Sequence, residues 1–204
     1  MADIRRQSSL DFWNDIHTQH EHSDIKVDDW LERFDDIISQ AQLPILDLGC
    51  GSGNDTLYLI SKGKQVIACD QSPKAIENVK LRIPLVKETK CFNMLDGLPF
   101  DDKSFEIVIA DLCLHYFTKA DTERIIGDIY RILIPGGHLI LRVNSVNDTN
   151  HGAGQGTMIE DHVFEMENKM IKRFFDEADI RYFFRDFVIE FMSVLPSFPT
   201  MAKL

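Results

Sequence analysis

Ile45-Leu46-Asp47-Leu48-Gly49-Cys50-Gly51-Ser52-Gly53 is a short apolar run that ends in three alternating glycines. An uninterrupted apolar run of this length, preceded by Pro44 and closed by glycines, predicts a strand buried on both faces, as in a parallel sheet. Asn54 to Lys62 follows as a predicted helix. Glycines between a strand and a helix allow a tight turn and let a ligand approach the backbone without Cβ interference. The helix start adds free N–H groups, and the carboxyl end of a strand is where open α/β sheets bind nucleotides.

The spacing separates competing ligands. A dinucleotide fingerprint, G-x-G-x-x-G, counted from Gly49 needs its third glycine at Asn54, and fails there. A phosphate-binding G-x-x-x-x-G-K-[ST] loop needs a lysine that is absent from this stretch. What remains is an acid, Asp47, two residues before the first glycine. That suits a ligand carrying an ammonium or sulfonium better than a pyrophosphate.

Reading outward, Gln65 to Asp70 is a second strand, and Ser72-Pro73 opens a helix, with serine as N-cap and proline in the first turn. Asp70, ending that strand, is placed to accept two hydrogen bonds from an unphosphorylated ribose diol. Lys90–Met94, Phe105–Asp111 and His138–Val143 read as further strands, and Lys119–Leu133 as a helix stopped by Pro135-Gly136-Gly137. Strands alternating with helices imply right-handed crossovers and a doubly wound α/β sheet. Upstream, a first helix carries Phe12, Trp13 and Ile16, and a second spans Val27–Gln40 with Trp30, Leu31, Phe34, Ile37 and Ile38 at helical spacing. Trp13 reads either as packing on that apolar stripe or as part of a lid. Downstream come a polar loop at 144–156, a hairpin around Glu167-Asn168, a helix at 176–186 and a last strand at 188–194. After that strand only Leu195 to Leu204 remain, with Pro196 and Pro199. The final antiparallel strand is therefore expected to be short or missing, its place taken by the hairpin or by a second subunit.

The 204 residues carry 22 Lys+Arg and 33 Asp+Glu, a net charge of −11. That length fits one domain with additions, and 44% hydrophobic residues are enough for a core. The acidic balance disfavours broad binding to phosphate backbones. No stretch approaches a membrane span, and no apolar segment follows Met1 to Ser9 as in a secretory signal. Cys50, Cys69, Cys91 and Cys113 lack C-x-x-C spacing and read as buried free thiols of a cytoplasmic protein. His17, His20 and His22 read as a solvated polar patch, and no metal is expected.

Five ordered segments then carry a resemblance. Ile45–Gly53 resembles motif I of the class I S-adenosylmethionine (SAM)-dependent methyltransferases. Val66–Asp70 resembles their second-strand motif, Leu98–Val108 their "LPF" segment, Ala110–Phe117 their fourth-strand motif, and Arg131–Leu139 their "R-L-K-P-G-G-x-L" turn. The flavour is similar to small bacterial enzymes of tellurite-resistance and ubiquinone-biosynthesis type. The resemblance implies a Rossmann-like, doubly wound, mostly parallel sheet with an antiparallel C-terminal edge and an N-terminal helical lid. It implies one methyltransferase domain over 1–204: a lid at 1–40, a SAM-binding core at 41–143, and a substrate loop with the sheet edge at 144–204. Asp47, Gly49, Cys50, Gly51 and Gly53 are then expected around the methionine part of SAM, Asp70 and Gln71 at the ribose, and Asn93, Met94 and Leu95 at the adenine. Asp111 and Leu112 would line the other wall. His115 and Tyr116 are the candidates for removing an acceptor proton. The Asn/Asp-Pro-Pro-Tyr signature of amino-methyltransferases is replaced by Asp111-Leu112-Cys113-Leu114. The expected activity is in-line methyl transfer from SAM to a small-molecule acceptor, leaving S-adenosylhomocysteine (SAH), with no nucleic-acid or membrane partner and a possible homodimer. The alternative is a module that binds SAM or SAH without turnover and regulates a partner.

Overall fold

The computed structural model describes residues 2–21, 23–195 and 198–203. The chain runs α1 (Ala2–Gln19), a 3₁₀ turn at Glu32–Phe34, α2 (Asp35–Gln40), β1 (Ile45–Leu48), α3 (Asn54–Ser61), β2 (Val66–Asp70), α4 (Pro73–Arg82) and β3 (Glu88–Cys91). It continues through β4 (Phe105–Asp111), α5 (Lys119–Ile132), β5 (Leu133–Arg142), β6 (Thr157–Glu160), β7 (Val163–Glu165), β8 (Ile171–Arg173), α6 (Glu177–Phe183), β9 (Val188–Leu195) and β10 (Phe198–Lys203).

One seven-stranded sheet has the order β3-β2-β1-β4-β5-β10-β9. β1 to β5 are parallel; β10 is antiparallel to both β5 and β9. The order in which strands are added changes side between β1 and β4, and the carboxyl ends of those two parallel strands open a crevice there. Alternation along the strands supplies both faces of the core. On β4, Val108 and Ala110 face the cluster that includes Ile125 and Ile129 of α5. Ile107 and Ile109 face the cluster of Trp30, Leu31, Phe34, Ile38, Tyr58 and Leu59.

Four expectations change here. The helix expected over Val27–Gln40 is only a 3₁₀ turn followed by α2; Trp30, Leu31, Phe34 and Ile38 are buried as its spacing implied, but residues 27–31 are not helical. β10 exists and completes the sheet, so neither a hairpin nor a second subunit takes its place, and the reason for expecting a homodimer there falls away. The hairpin around Glu167-Asn168 does form, as β7 and β8, but with β6 it makes a separate three-stranded sheet. Cys91 is exposed rather than buried, because it ends the edge strand β3. Among the described residues no helix is long and apolar enough to cross a membrane.

Candidate functional site

The main cavity lies at the carboxyl ends of β1, β2 and β4, with α1 across its mouth. Its floor is the glycine turn. Gly49 and Cys50 donate their backbone N–H groups to the Cys69 carbonyl at 2.8 Å, which ties the turn to the end of β2. Gly49, Gly51 and Gly53 all have positive φ, but they serve different ends. A Cβ on Gly49 would lie 2.5 Å from Cys113 Cβ, and one on Gly53 would lie 2.6 Å from Ile83 Cδ1. Both are glycine because neighbouring chain packs there. A Cβ on Gly51 meets only His17 Cε1, at 3.5 Å. Gly51 therefore carries the open part of the floor.

Asp70 ends β2 and lines the cavity. Its Oδ2 accepts from the Gly51 N–H at 3.0 Å and its Oδ1 from the Ser72 N–H at 2.8 Å. A carboxylate has about four lone-pair directions, so one remains on each oxygen for a pair of hydroxyls. Burial raises its pKa, opposed by these backbone bonds and by His17.

The other end of the cavity is acidic. Asp47, Asp55 and Asp111 all line it. Thr56 Oγ1 donates to Asp47 Oδ2. Trp30 Nε1 donates to Asp55 Oδ1 at 2.9 Å. Arg142 Nη2 donates to Asp111 Oδ2 at 2.7 Å, bridges to Asp28 at 2.9 Å, and lies 4.6 Å over the Trp30 ring. Burial pushes Asp47 up to about 7 and Asp55 up to about 8, helped in each case by Asp111 and, between them, by mutual repulsion for Asp55. Near neutral pH Asp47 is therefore about half protonated and Asp55 mostly so, chiefly because burial disfavours their charged forms and secondarily because neighbouring acids repel. A ligand bringing an ammonium or sulfonium to this end would relieve that repulsion.

At the third side, Asn93 caps a 3₁₀ turn by accepting from Leu95 N–H at 2.9 Å, and its Nδ2 donates to Gln71 Oε1 at 2.9 Å. Asn93, Met94 and Phe92 line the cavity; Leu95 does not. Leu112 lines it with φ +48°, a left-handed conformation for a non-glycine residue, held by its N–H bond to the Arg142 carbonyl at 3.0 Å.

The structure thus brings together Asp47, Gly49, Cys50, Gly51, Asp70, Gln71, Asn93, Met94, Asp111, Leu112 and Tyr116, and leaves Gly53, Leu95 and His115 off the cavity wall. His115 is 2% exposed and its Nδ1 has no partner among the described residues. Burial, with Lys172 and His151 adding positive charge, drives its pKa down to about 3. Tyr116 does line the cavity, and burial drives its pKa up.

Among the lining residues that were not expected, three bear on the chemistry. Asp55 and Ser9 line the cavity, and so does His17, which is 5% exposed and stacks on Trp13 at 6.1 Å. His17 is no part of a solvated patch; His20 is exposed, and His22 lies outside the described residues. The spacing Trp13–His17, one helical turn, was the available signal. Trp13 meets Tyr116 edge-on at 5.3 Å. This aromatic pair stands between the main cavity and a second hollow, lined by Phe12, Ile16, Gln155, Met166, Met170 and Lys172.

With that geometry in view, the comparisons show what the chain is similar to. Residues 46–141 match the family model described as a methyltransferase domain, a little under half of the chain. An uncharacterized methyltransferase of Synechocystis is 38% identical over 93 residues, 46% of this chain and 43% of that protein, so this chain spans less than half of that relative's length. A SAM-dependent methyltransferase of Methanosarcina mazei superposes with a TM-score of 0.62 at 25% identity, covering 78% of this chain and 88% of its own. A tRNA N(3)-methylcytidine methyltransferase of Schizosaccharomyces pombe is 26% identical over 199 residues, 86% of this chain and 77% of that protein. That relative overturns the expectation of a small-molecule acceptor with no nucleic-acid partner. The net charge of −11 describes the surface as a whole. It does not describe what one pocket admits.

Proposed function

We propose that the main cavity binds SAM and that the chain transfers its methyl group to an acceptor by direct displacement. The observation that carries this is the polarity of the cavity. Asp70 stands at one end with both oxygens facing the cavity side of the turn, and the buried acids Asp47, Asp55 and Asp111, whose pKa values burial raises, stand at the other. A ribose diol and a cationic amino-acid end match those two ends in order.

When bound, SAM supplies a methyl carbon activated by positive sulfur, which an acceptor lone pair takes in line as the carbon–sulfur bond breaks. The residues of this chain position and desolvate. Asp70 would accept from the ribose hydroxyls, and Gly51 would let the ligand lie on the backbone. Asn93 and Met94 face the adenine, as Asp47 and Asp111 face the ammonium. Leu112 and Cys113 close the wall opposite. Tyr116 keeps its proton at neutral pH, so it orients an acceptor and does not deprotonate one. The polar loop at 144–156 and the β7–β8 hairpin wall the second hollow, from which an acceptor approaches past Trp13 and Tyr116. Placing two reactants in line supplies a large part of such catalysis.

Calorimetric titration with SAM, SAH and NAD, on the wild type and on Asp70→Ala, tests the cofactor site. Micromolar binding of SAM and SAH, none of NAD, and at least a tenfold loss in Asp70→Ala, about 1.4 kcal/mol, are expected. Failure of both SAM and SAH to bind overturns the proposal. Transfer of tritiated methyl into tRNA, compared with transfer into a panel of small amines, phenols and thiols, then decides the acceptor.

A further inference from the structure

We infer that His17, delivered by α1, is a cofactor-recognition residue that donates a hydrogen bond to the ribose diol opposite Asp70. The inference rests on the SAM site proposed above and adds a residue to it from outside the glycine-turn and strand-end motifs.

Three observations meet at this side chain. First, His17 lines the cavity while only 5% exposed, and its Nδ1 is buried without a hydrogen-bond partner among the described residues. Leaving a buried polar atom unsatisfied costs about 1–3 kcal/mol, so a partner that arrives with the ligand explains its retention. Second, His17 sits over the open part of the floor. It is the neighbour that a Cβ on Gly51 would meet, and the Gly51 N–H in turn donates to Asp70, whose charge acts on the imidazole. His17, Gly51 and Asp70 therefore converge where a ribose would lie. Third, the residue is held in place at both its backbone and its ring. Asn78 of α4, itself buried, donates its Nδ2 to the His17 backbone carbonyl at 2.9 Å, and Trp13, on the same cavity wall, stacks on the imidazole. Two further bonds fix the helix that carries it, Ser72 Oγ to Asn14 Oδ1 at 2.5 Å and Gln71 Nε2 to Ser9 Oγ at 3.1 Å.

The chemistry is complementary. A ribose hydroxyl that donates to Asp70 still has lone pairs on its oxygen. Burial keeps the imidazole neutral, with one N–H to give and one nitrogen to accept. An N–H aimed at the hydroxyl oxygen completes the pair of interactions that Asp70 alone leaves half made.

The test is a binding cycle by calorimetry, with SAH and its 2′-deoxy and 3′-deoxy analogues as ligands. The proteins are wild type, His17→Phe, His17→Gln and, as a control on an exposed histidine, His20→Ala. His17→Phe keeps the ring on Trp13 and removes the donor. The expected result is a loss of roughly three- to tenfold for SAH in His17→Phe, with the preference for SAH over one of the deoxy analogues shrinking by the same factor. Partial recovery in His17→Gln and no change in His20→Ala are also expected. If His17 only packs α1 onto the core, SAH and both deoxy analogues lose affinity equally, and the inference fails. If wild type itself does not bind SAH, the cofactor site beneath the inference fails instead. Circular dichroism and thermal midpoints of the variants separate either result from misfolding.

Discussion

His115 and Tyr116 are adjacent, their rings 4.2 Å apart, yet only one of them reaches the cavity. His115 is buried beside the end of β8, where its carbonyl accepts from the Arg173 N–H at 2.8 Å. A base held near 3 binds no proton at neutral pH, and this one has no path to an acceptor. His115→Leu keeps the backbone bond and removes an unpaired buried nitrogen, so it should leave kcat within about threefold and stability within about 1 kcal/mol of wild type. Steady-state kinetics and urea unfolding check both. A hundredfold fall in kcat with unchanged stability would instead return His115 to proton transfer. Tyr116→Ala joins the two hollows and should lower kcat/KM by about tenfold or more through lost positioning. At this scale the sequence was informative where a backbone motif sets the geometry: Asp70 and Gly51 stand where strand-end and glycine-turn logic put them. It misplaced His17, whose helix reaches the site only by folding across the cavity mouth, and it was silent on Asp55 and Arg142, whose roles follow from burial beside the glycine turn and from the pairing with Asp111.

Among the elements, Arg131 at the end of α5 acts as a latch. Its Nη2 donates to the Leu98 carbonyl at 2.9 Å, its Nη1 to the Phe100 carbonyl at 2.8 Å and to Asp102 at 2.9 Å, and its Nε to Asp128 at 3.2 Å. The "LPF" segment and the "R-I-L-I-P-G-G" turn, far apart in sequence, are two halves of one contact. A lysine offers a single point charge where this geometry uses a planar fork. Arg131→Lys should therefore cost about 1 kcal/mol, a modest figure because the side chain is a third exposed. A lower urea midpoint at unchanged m-value is the expected signature; an unchanged midpoint would show the latch to be idle. The parallel strands were legible as elements because burial on both faces makes them continuous apolar runs. β10 was not, since Pro199 argues against a strand with neighbours on both sides. The structure resolves this by register: the pairing of β10 with β9 shifts between Phe198 and Thr200, at the proline, and its pairing with β5 is confined to Ala202 and Lys203. The 27–31 segment misled in the opposite way, because apolar spacing in 30–38 predicts burial better than it predicts where a helix begins.

For the whole molecule, the acids gathered under the cavity tie stability and cofactor binding to pH. Asp47 and Asp55 titrate at about 7 and about 8 when folded, against an ordinary 3.8. The folded state therefore binds more protons than the unfolded chain, and stability falls as pH rises towards those values. The buried histidines pull the other way at lower pH. His17 and His115 are depressed when folded, so protonation of the unfolded chain costs stability below about pH 6.5. Below that point the two effects oppose each other. Above it the acids act with His162, whose pKa is raised by its bond to Asp179, and both lose stability with rising pH. The thermal midpoint of the unliganded protein should accordingly fall between about pH 6.5 and pH 8.5. Asp55→Asn keeps an oxygen for Trp30 and removes one of the charges, so its curve should be flatter. Saturating SAM brings positive charge to the same acids, so its stabilisation should grow across that interval and its binding at pH 7 should release protons. Calorimetry in two buffers of different ionisation enthalpy measures that release. A midpoint that rises through this interval, or SAM binding without proton release, would mean the acids are already ionised in the free protein and are balanced by Arg142 alone.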